Sequence, residues 1–147
     1  MSMKKIFLFC AMACVGMTTE IFFTAITDNI NHLQEGSSFD WRLKGQSYIW
    51  MFPIYGLAGL LFPVVLKYIS HLPSFARAAI YGIGILIVEF ITGGLLDLFT
   101  GQCPWEYTTG WHIMGYIRLD YFPLWAVFGY MVEQIVSFLN RLYNTAS

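Results

Sequence analysis

Residues 76–99 read ARAAIYGIGILIVEFITGGLLDLF. Past Arg77, the only charges in this stretch are Glu89 and Asp97, and no proline interrupts it. A helix needs about 20 mostly apolar residues to cross a hydrocarbon core about 30 Å thick. The stretch meets that length, so it predicts a transmembrane helix. Working outward, three more stretches qualify, at about 6–27, 48–69 and 121–142. The second contains Pro53 and Pro63. Outer-membrane barrel strands alternate apolar and polar residues over about ten positions, and no segment here does so. The expected fold class is therefore all-α: four transmembrane helices in one polytopic membrane domain.

The composition agrees. Of 147 residues, 12 % are charged, 57 % hydrophobic and 18 % aromatic. Mean hydropathy is +0.59. A soluble domain carries about twice that share of charge. Disordered chains, disulfide-rich secreted scaffolds and ordinary soluble enzymes are excluded. The formal net charge of -1 leaves no excess of Lys and Arg to neutralise phosphates, so no nucleic-acid partner is expected.

Orientation follows from the bases. Lys4 and Lys5 precede the first span, Lys67 and Arg77 frame the turn between the second and third, and Arg141 follows in the tail. No acid stands in those segments. The positive-inside rule then puts both termini in the cytoplasm of an inner-membrane protein. The loops at about 28–47 and 100–120 face outward. Lys4-Lys5 followed by Ala11-Met12-Ala13-Cys14 also resembles a signal peptide with a poor lipoprotein box. The apolar run continues past Cys14, longer than a signal core, so an uncleaved anchor is expected. Cys10 and Cys14, one helix turn apart, read as small packing residues, and three cysteines give no disulfide framework.

The two halves of the chain resemble each other. Glu20 and Asp28 match Glu89 and Asp97 at an offset of 69. Gly45, Phe52-Pro53 and Tyr55 match Gly115, Phe122-Pro123 and Trp125 at an offset of 70. Each half holds two spans, so the halves are expected to be parallel repeats, at about 5–70 and 76–142, related by an axis along the membrane normal. Pro53 and Pro123 fall where their helices start, where a missing N–H does no harm. Pro63 lies deeper and is expected to kink its helix.

The sharpest functional signal is the acids inside the spans. A charge at the bilayer centre costs a few kcal/mol on insertion scales, and such residues normally face the bundle interior. Residues four apart share a helix face. Glu20, Thr24 and Asp28 thus form one polar stripe, and Glu89, Gly93 and Asp97 form its equivalent. Glu133 lies near the middle of the fourth span. Together with Arg118, the base near the outer mouth, these residues are expected to line a polar cavity open to the outside, with Arg118 pairing Glu89 or Asp97. The alternative is carboxylates hydrogen-bonded to Tyr, Trp or Thr that hold helices in register. Cys103, Pro104, Trp105, Glu106, Tyr107, His112 and Gly115 lie in the second outer loop and suggest a tightly folded lid. His32, Cys103, Glu106 and His112 lack metal-ligand spacing, so no metal or other cofactor is expected. No Gly-x-x-x-x-Gly-Lys loop is present for a nucleotide.

Several blocks carry a family resemblance: Glu89-Phe90-Ile91-Thr92-Gly93-Gly94, Cys103-Pro104-Trp105-Glu106-Tyr107, Met114-Gly115, Tyr121 to Trp125 and Glu133-Gln134. The first half adds Glu20-Ile21-Phe22-Phe23-Thr24-Ala25 and Phe52-Pro53-Ile54-Tyr55-Gly56. Over about residues 16–140 the chain resembles the bacterial membrane family labelled "putative ABC-transporter type IV". It is also similar to the eukaryotic transmembrane protein 229 family. The resemblance implies a permease subunit of an ATP-driven transporter. It marks Glu20, Glu89, Trp105, Tyr107, Gly115 and Glu133 as the family pattern in this chain. An ATPase partner would find only the short turn at 70–76 to dock on. Four helices enclose little space, so a homo-oligomer in the lipid bilayer is expected. Transport, a lipid-binding or enzymatic role at the outer leaflet, and a structural role are the readings carried forward. An enzyme is the less favoured class.

Overall fold

The computed structural model describes residues 2–146. Four long helices follow one another: α1 (Met3–Gln34), α2 (Met51–Ile69), α3 (Ser74–Thr100) and α4 (Phe122–Ala146). A small antiparallel hairpin of β1 (His112–Ile113) and β2 (Ile117–Arg118) stands between α3 and α4. All four helices are long and apolar enough to cross a membrane, and only 11–22 % of each apolar window is buried. Phe22, Phe23 and Ile83, for example, are more than half exposed. Water does not tolerate so much continuous apolar surface, whereas lipid does. The chain is a multi-pass membrane protein of the all-α class.

α1 corrects the expected boundary at residue 27. It runs on through Asp28, Asn29 and His32 to Gln34. At 1.5 Å per residue its 32 residues measure about 48 Å, well beyond the hydrocarbon core. Polarity ends a span but does not end a helix. What stops α1 is Gly36 at φ 79°, a left-handed residue of the kind that commonly closes helices. Ser2 caps the other end by accepting from the Lys5 N–H. α2 starts at Met51 rather than 48, because 48–50 form a turn closed by Met51 N–H on the Tyr48 carbonyl at 2.9 Å. α2 runs through Pro63 unbroken to Ile69. Cys10 and Cys14 are free and exposed, so they do not pack as expected.

The chain divides into two compact units, with the boundary inside α2. The first comprises the chain up to Leu61 together with the end from Tyr143. In it α1 and the start of α2 meet through small residues. A Cβ on Gly16 would collide with the Tyr55 ring, and one on Gly59 with the Leu8 carbonyl. One on Gly56 would come within 2.5 Å of Phe9. Leu8, Met12, Ala13 and Ala25 form the core of this unit.

The second unit spans Phe62–Leu142. Phe62 stacks on Tyr81 with ring centroids 4.5 Å apart. α3 and α4 approach where glycine permits. A Cβ on Gly129 would lie 2.5 Å from the Tyr81 Cβ, and one on Gly82 would lie 3.0 Å from the Ala126 nitrogen. Tyr81, Leu86, Ile117, Val132 and Val136 are buried here, together with Glu133. The hairpin pairs His112 with Arg118 and Ile113 with Ile117. Its turn closes by Tyr116 N–H on the Ile113 carbonyl at 3.1 Å, across Met114 at φ 54° and Gly115 at φ 77°. Two consecutive left-handed residues are the backbone of a hairpin turn; Gly115 suits this conformation, while Met114 adopts one that is uncommon for a side-chain-bearing residue.

Candidate functional site

In the second unit, α3 carries Glu89 with Gly93 and Asp97 at successive turns of the same face. Gly93 lets the following loop lie down on the helix: a Cβ there would sit 3.2 Å from Tyr116 and 3.3 Å from the Cys103 sulfur. Tyr116 then donates its hydroxyl to Asp97 Oδ2 at 2.6 Å, and its ring meets Phe90 edge-on. Trp105 Nε1 donates to the Tyr116 carbonyl at 3.1 Å, and Tyr107 N–H to the Gly115 carbonyl at 2.8 Å. The Cys-Pro-Trp-Glu-Tyr segment and the hairpin are thus one tied structure over the end of α3. Burial pushes the Cys103 thiol and the Tyr107 phenol above their ordinary pKa values. Both stay protonated at neutral pH.

Tyr107 points its hydroxyl at Glu89 Oε1, 3.5 Å away. The Trp125 indole is the second donor acting on that carboxyl. Yet Trp125 Nε1 and Glu89 Oε2 are both buried without a partner of hydrogen-bonding geometry. The two lie close together, at a geometry looser than an ordinary hydrogen bond. Around them Tyr107, Tyr121, Trp125 and Phe128 form a chain of edge-to-face rings at 5.8, 6.3 and 6.0 Å.

Arg118 does not reach Glu89 or Asp97. It forms an ion pair with Asp120 at 2.6 Å, donates to Tyr121 Oη at 3.1 Å and lies 4.2 Å above the Tyr121 ring. Glu133 is likewise engaged elsewhere. Arg77, twelve residues before Glu89 on α3, grips it through two nitrogens at 2.9 and 3.1 Å. Arg77 also donates to the Leu72 carbonyl at 2.9 Å. Glu133 is 4 % exposed, so this is a buried pair that ties α4 to the turn before α3. Twelve residues of helix measure about 18 Å. The sequence-predicted acids of the second half therefore fall into two places, with Asp97 bound to the loop.

In the first unit Glu20 is engaged through one oxygen. Its Oε2 accepts from Ser47 Oγ at 2.7 Å and from Tyr55 Oη at 3.0 Å. Thr24 does not line an open stripe. It docks the loop, accepting from Gln46 N–H at 2.9 Å beside Gly45, where a Cβ would strike the Ile21 carbonyl. Asp28 is exposed. It lines a recess of about 550 Å³ with His32, Lys44 and Gln46, and with the ion pair of Asp40 and Arg42.

Sequence reasoning missed Arg77, Trp125, Tyr55 and Ser47 as partners of the acids. The signal for two of them was present. Tyr55 and Trp125 share the repeat offset, thirty-five and thirty-six residues after Glu20 and Glu89 respectively. Of the lid residues, Cys103, Trp105, Tyr107 and Gly115 make the loop's contacts, while Glu106 and His112 are exposed. Among the described residues no three His, Cys, Asp or Glu side chains gather as a metal site.

No solved structure matches this chain. A family model matches residues 7–146, taking in both acid-bearing halves and the tied loop. On that match the chain belongs to the family described as "Putative ABC-transporter type IV".

Proposed function

We propose that the chain is a transporter-type membrane component whose second half holds an acidic station, Glu89, for a small cationic or protonatable solute. One observation carries this reading: Glu89 Oε2 and Trp125 Nε1 are buried together and unmatched. Leaving a buried donor or acceptor unsatisfied costs about 1–3 kcal/mol each, so packing alone favours closing the pair. A solute that donates to the carboxyl and accepts from the indole satisfies both. The neighbouring Tyr107 ring suits a positive charge, and the tied loop is the lid.

The same reading takes the chain as two parallel repeats. Glu20 with Tyr55 and Glu89 with Trp125 support it, as do the glycine contacts of Gly59 on α1 and of Gly129 on α3, at an offset of 70. The charge distribution supports cytoplasmic termini in the inner membrane, so that the lid faces outward. A pathway through so few helices requires a homo-oligomer. An ATPase partner would dock at the turn between α2 and α3.

The test is reconstitution into liposomes, following proton and 2-hydroxyethylammonium uptake with an internal pH-sensitive dye; that cation carries N–H donors and a hydroxyl acceptor. Wild-type protein is expected to pass one or both. Glu89→Gln is expected to lose at least about tenfold of that flux with helicity and melting temperature unchanged. Full flux in Glu89→Gln, or none in the wild type, overturns the proposal.

A further inference from the structure

The recess at the loop end of α1 plays no part in the transport reading, and it is a built feature. Asn29, 4 % exposed, donates to the Ala25 carbonyl at 3.0 Å and accepts from Asp40 N–H at 2.7 Å. This pins the loop at Asp40. Thr24 pins it again at Gln46. The chain between these anchors walls the recess, whose volume of about 550 Å³ lies within the range of small-molecule sites.

Its charges do not all cancel internally. Arg42 holds Asp40 through Nε at 2.9 Å and NH2 at 2.8 Å, and these two satisfy each other. Asp28 and Lys44 enter none of the ion pairs formed among the described residues. His32, one turn after Asp28 on the same face, and Gln46 also keep free polar atoms toward the recess. One carboxylate and one ammonium outside any ion pair line a single recess, an arrangement that matches a ligand carrying one charge of each sign.

The surroundings identify its source. In the same turns α1 exposes Phe22, Phe23, Ile26 and Ile30, at 65, 63, 55 and 49 %. Trp41, 84 % exposed, stands on the recess loop. Apolar side chains of this kind lie against acyl chains, and exposed Trp belongs at the bilayer interface. The recess thus opens where hydrocarbon gives way to headgroups.

We propose that this recess binds a bilayer lipid with a phosphoethanolamine headgroup, its primary ammonium on Asp28 and its phosphate on Lys44. Trimethylammonium headgroups have no N–H for Asp28 and His32 to accept, and among the described residues no Trp, Tyr or Phe ring lines the recess to hold them instead. Headgroups with phosphate alone leave Asp28 unmatched.

The experiment is native mass spectrometry of the full chain with phosphatidylethanolamine, phosphatidylcholine and phosphatidylglycerol of identical acyl chains. The wild type is expected to retain phosphatidylethanolamine about tenfold more tightly than either of the others. Asp28→Asn should lower it to the phosphatidylcholine level. Lys44→Gln should weaken all three lipids, which share the phosphate. Both side chains are exposed, so circular dichroism should not change. Equal retention of the three lipids by the wild type overturns the proposal without reference to any variant. Competition by soluble phosphoethanolamine at concentrations matching the lipid would also overturn it, since the acyl chains would then contribute nothing. Glu89→Gln should bind lipid as the wild type does, which separates a failure here from a failure of the transport reading.

Discussion

Two carboxyls of this chain illustrate what an acid in an apolar span does. Glu133 has a guanidinium on both oxygens, and Glu89 has one phenol and an indole that does not close. Glu133 is thus compensated by Arg77, and removing either partner would leave a charge without compensation. Glu89 is the acid whose second oxygen is only loosely partnered. At the membrane surface Asp40 behaves differently again. Arg42, hydrogen-bonded to it, holds its pKa at about 2 against an ordinary 3.8. A carboxylate whose pKa is depressed by folding stabilises the folded loop above its ordinary pKa. That contribution disappears as pH falls through the depressed value. Acidification from about pH 4 to about pH 2 should therefore loosen the 36–47 loop. Trp41 emission should follow this change, which added salt should weaken because the pair is exposed. Asp40→Asn should show no such transition, and an identical acid transition in that variant would contradict the assignment.

At the scale of elements, the helix pairs are brought together by glycines rather than by large side chains. Membrane helices gain little from hiding apolar surface, since lipid is as apolar as leucine, so close packing carries the association. Gly129 is the clearest case, with the Tyr81 Cβ at 2.5 Å from where its own Cβ would be. Gly129→Val should lower stability by about 1–3 kcal/mol, read from an unfolding titration in mixed detergent micelles. Tyr81 cannot easily move aside, because Phe62 stacks on its ring. An unchanged midpoint for Gly129→Val would mean that α3 and α4 do not meet there. The hairpin is the other element that matters. Its left-handed Met114-Gly115 turn aims Tyr116 at Asp97 and leaves Tyr107 beside Glu89, so a two-residue turn positions the loop over the end of α3.

At the scale of the whole molecule, the prediction concerns sidedness. Single cysteines at Ser37 and Thr109, in a background lacking Cys10, Cys14 and Cys103, should react with a membrane-impermeant maleimide added to intact cells. One at Thr145 should react only after permeabilisation. Labelling of Thr145→Cys from outside would reverse the proposed topology.

The spans, the all-α class and the membrane setting were legible in the sequence, because hydropathy over twenty residues is a local property. The family blocks were legible as well, and they cover the residues that build the tied loop. The sequence could not give the end of α1, because polar residues continue a helix until a left-handed residue stops it. Nor could it give the partners of its acids. Arg77 lies fifty-six residues before Glu133, and Trp125 lies thirty-six after Glu89. Charge pattern placed Arg118 nearest the outer acids, but local geometry joined it to Asp120 two residues away. Sequence by itself determined which residues enter the membrane and which face of a helix carries an acid. Only the tertiary structure decided which acids are satisfied and which remain open, since a hydrogen bond depends on a few tenths of an ångström between residues distant in the chain.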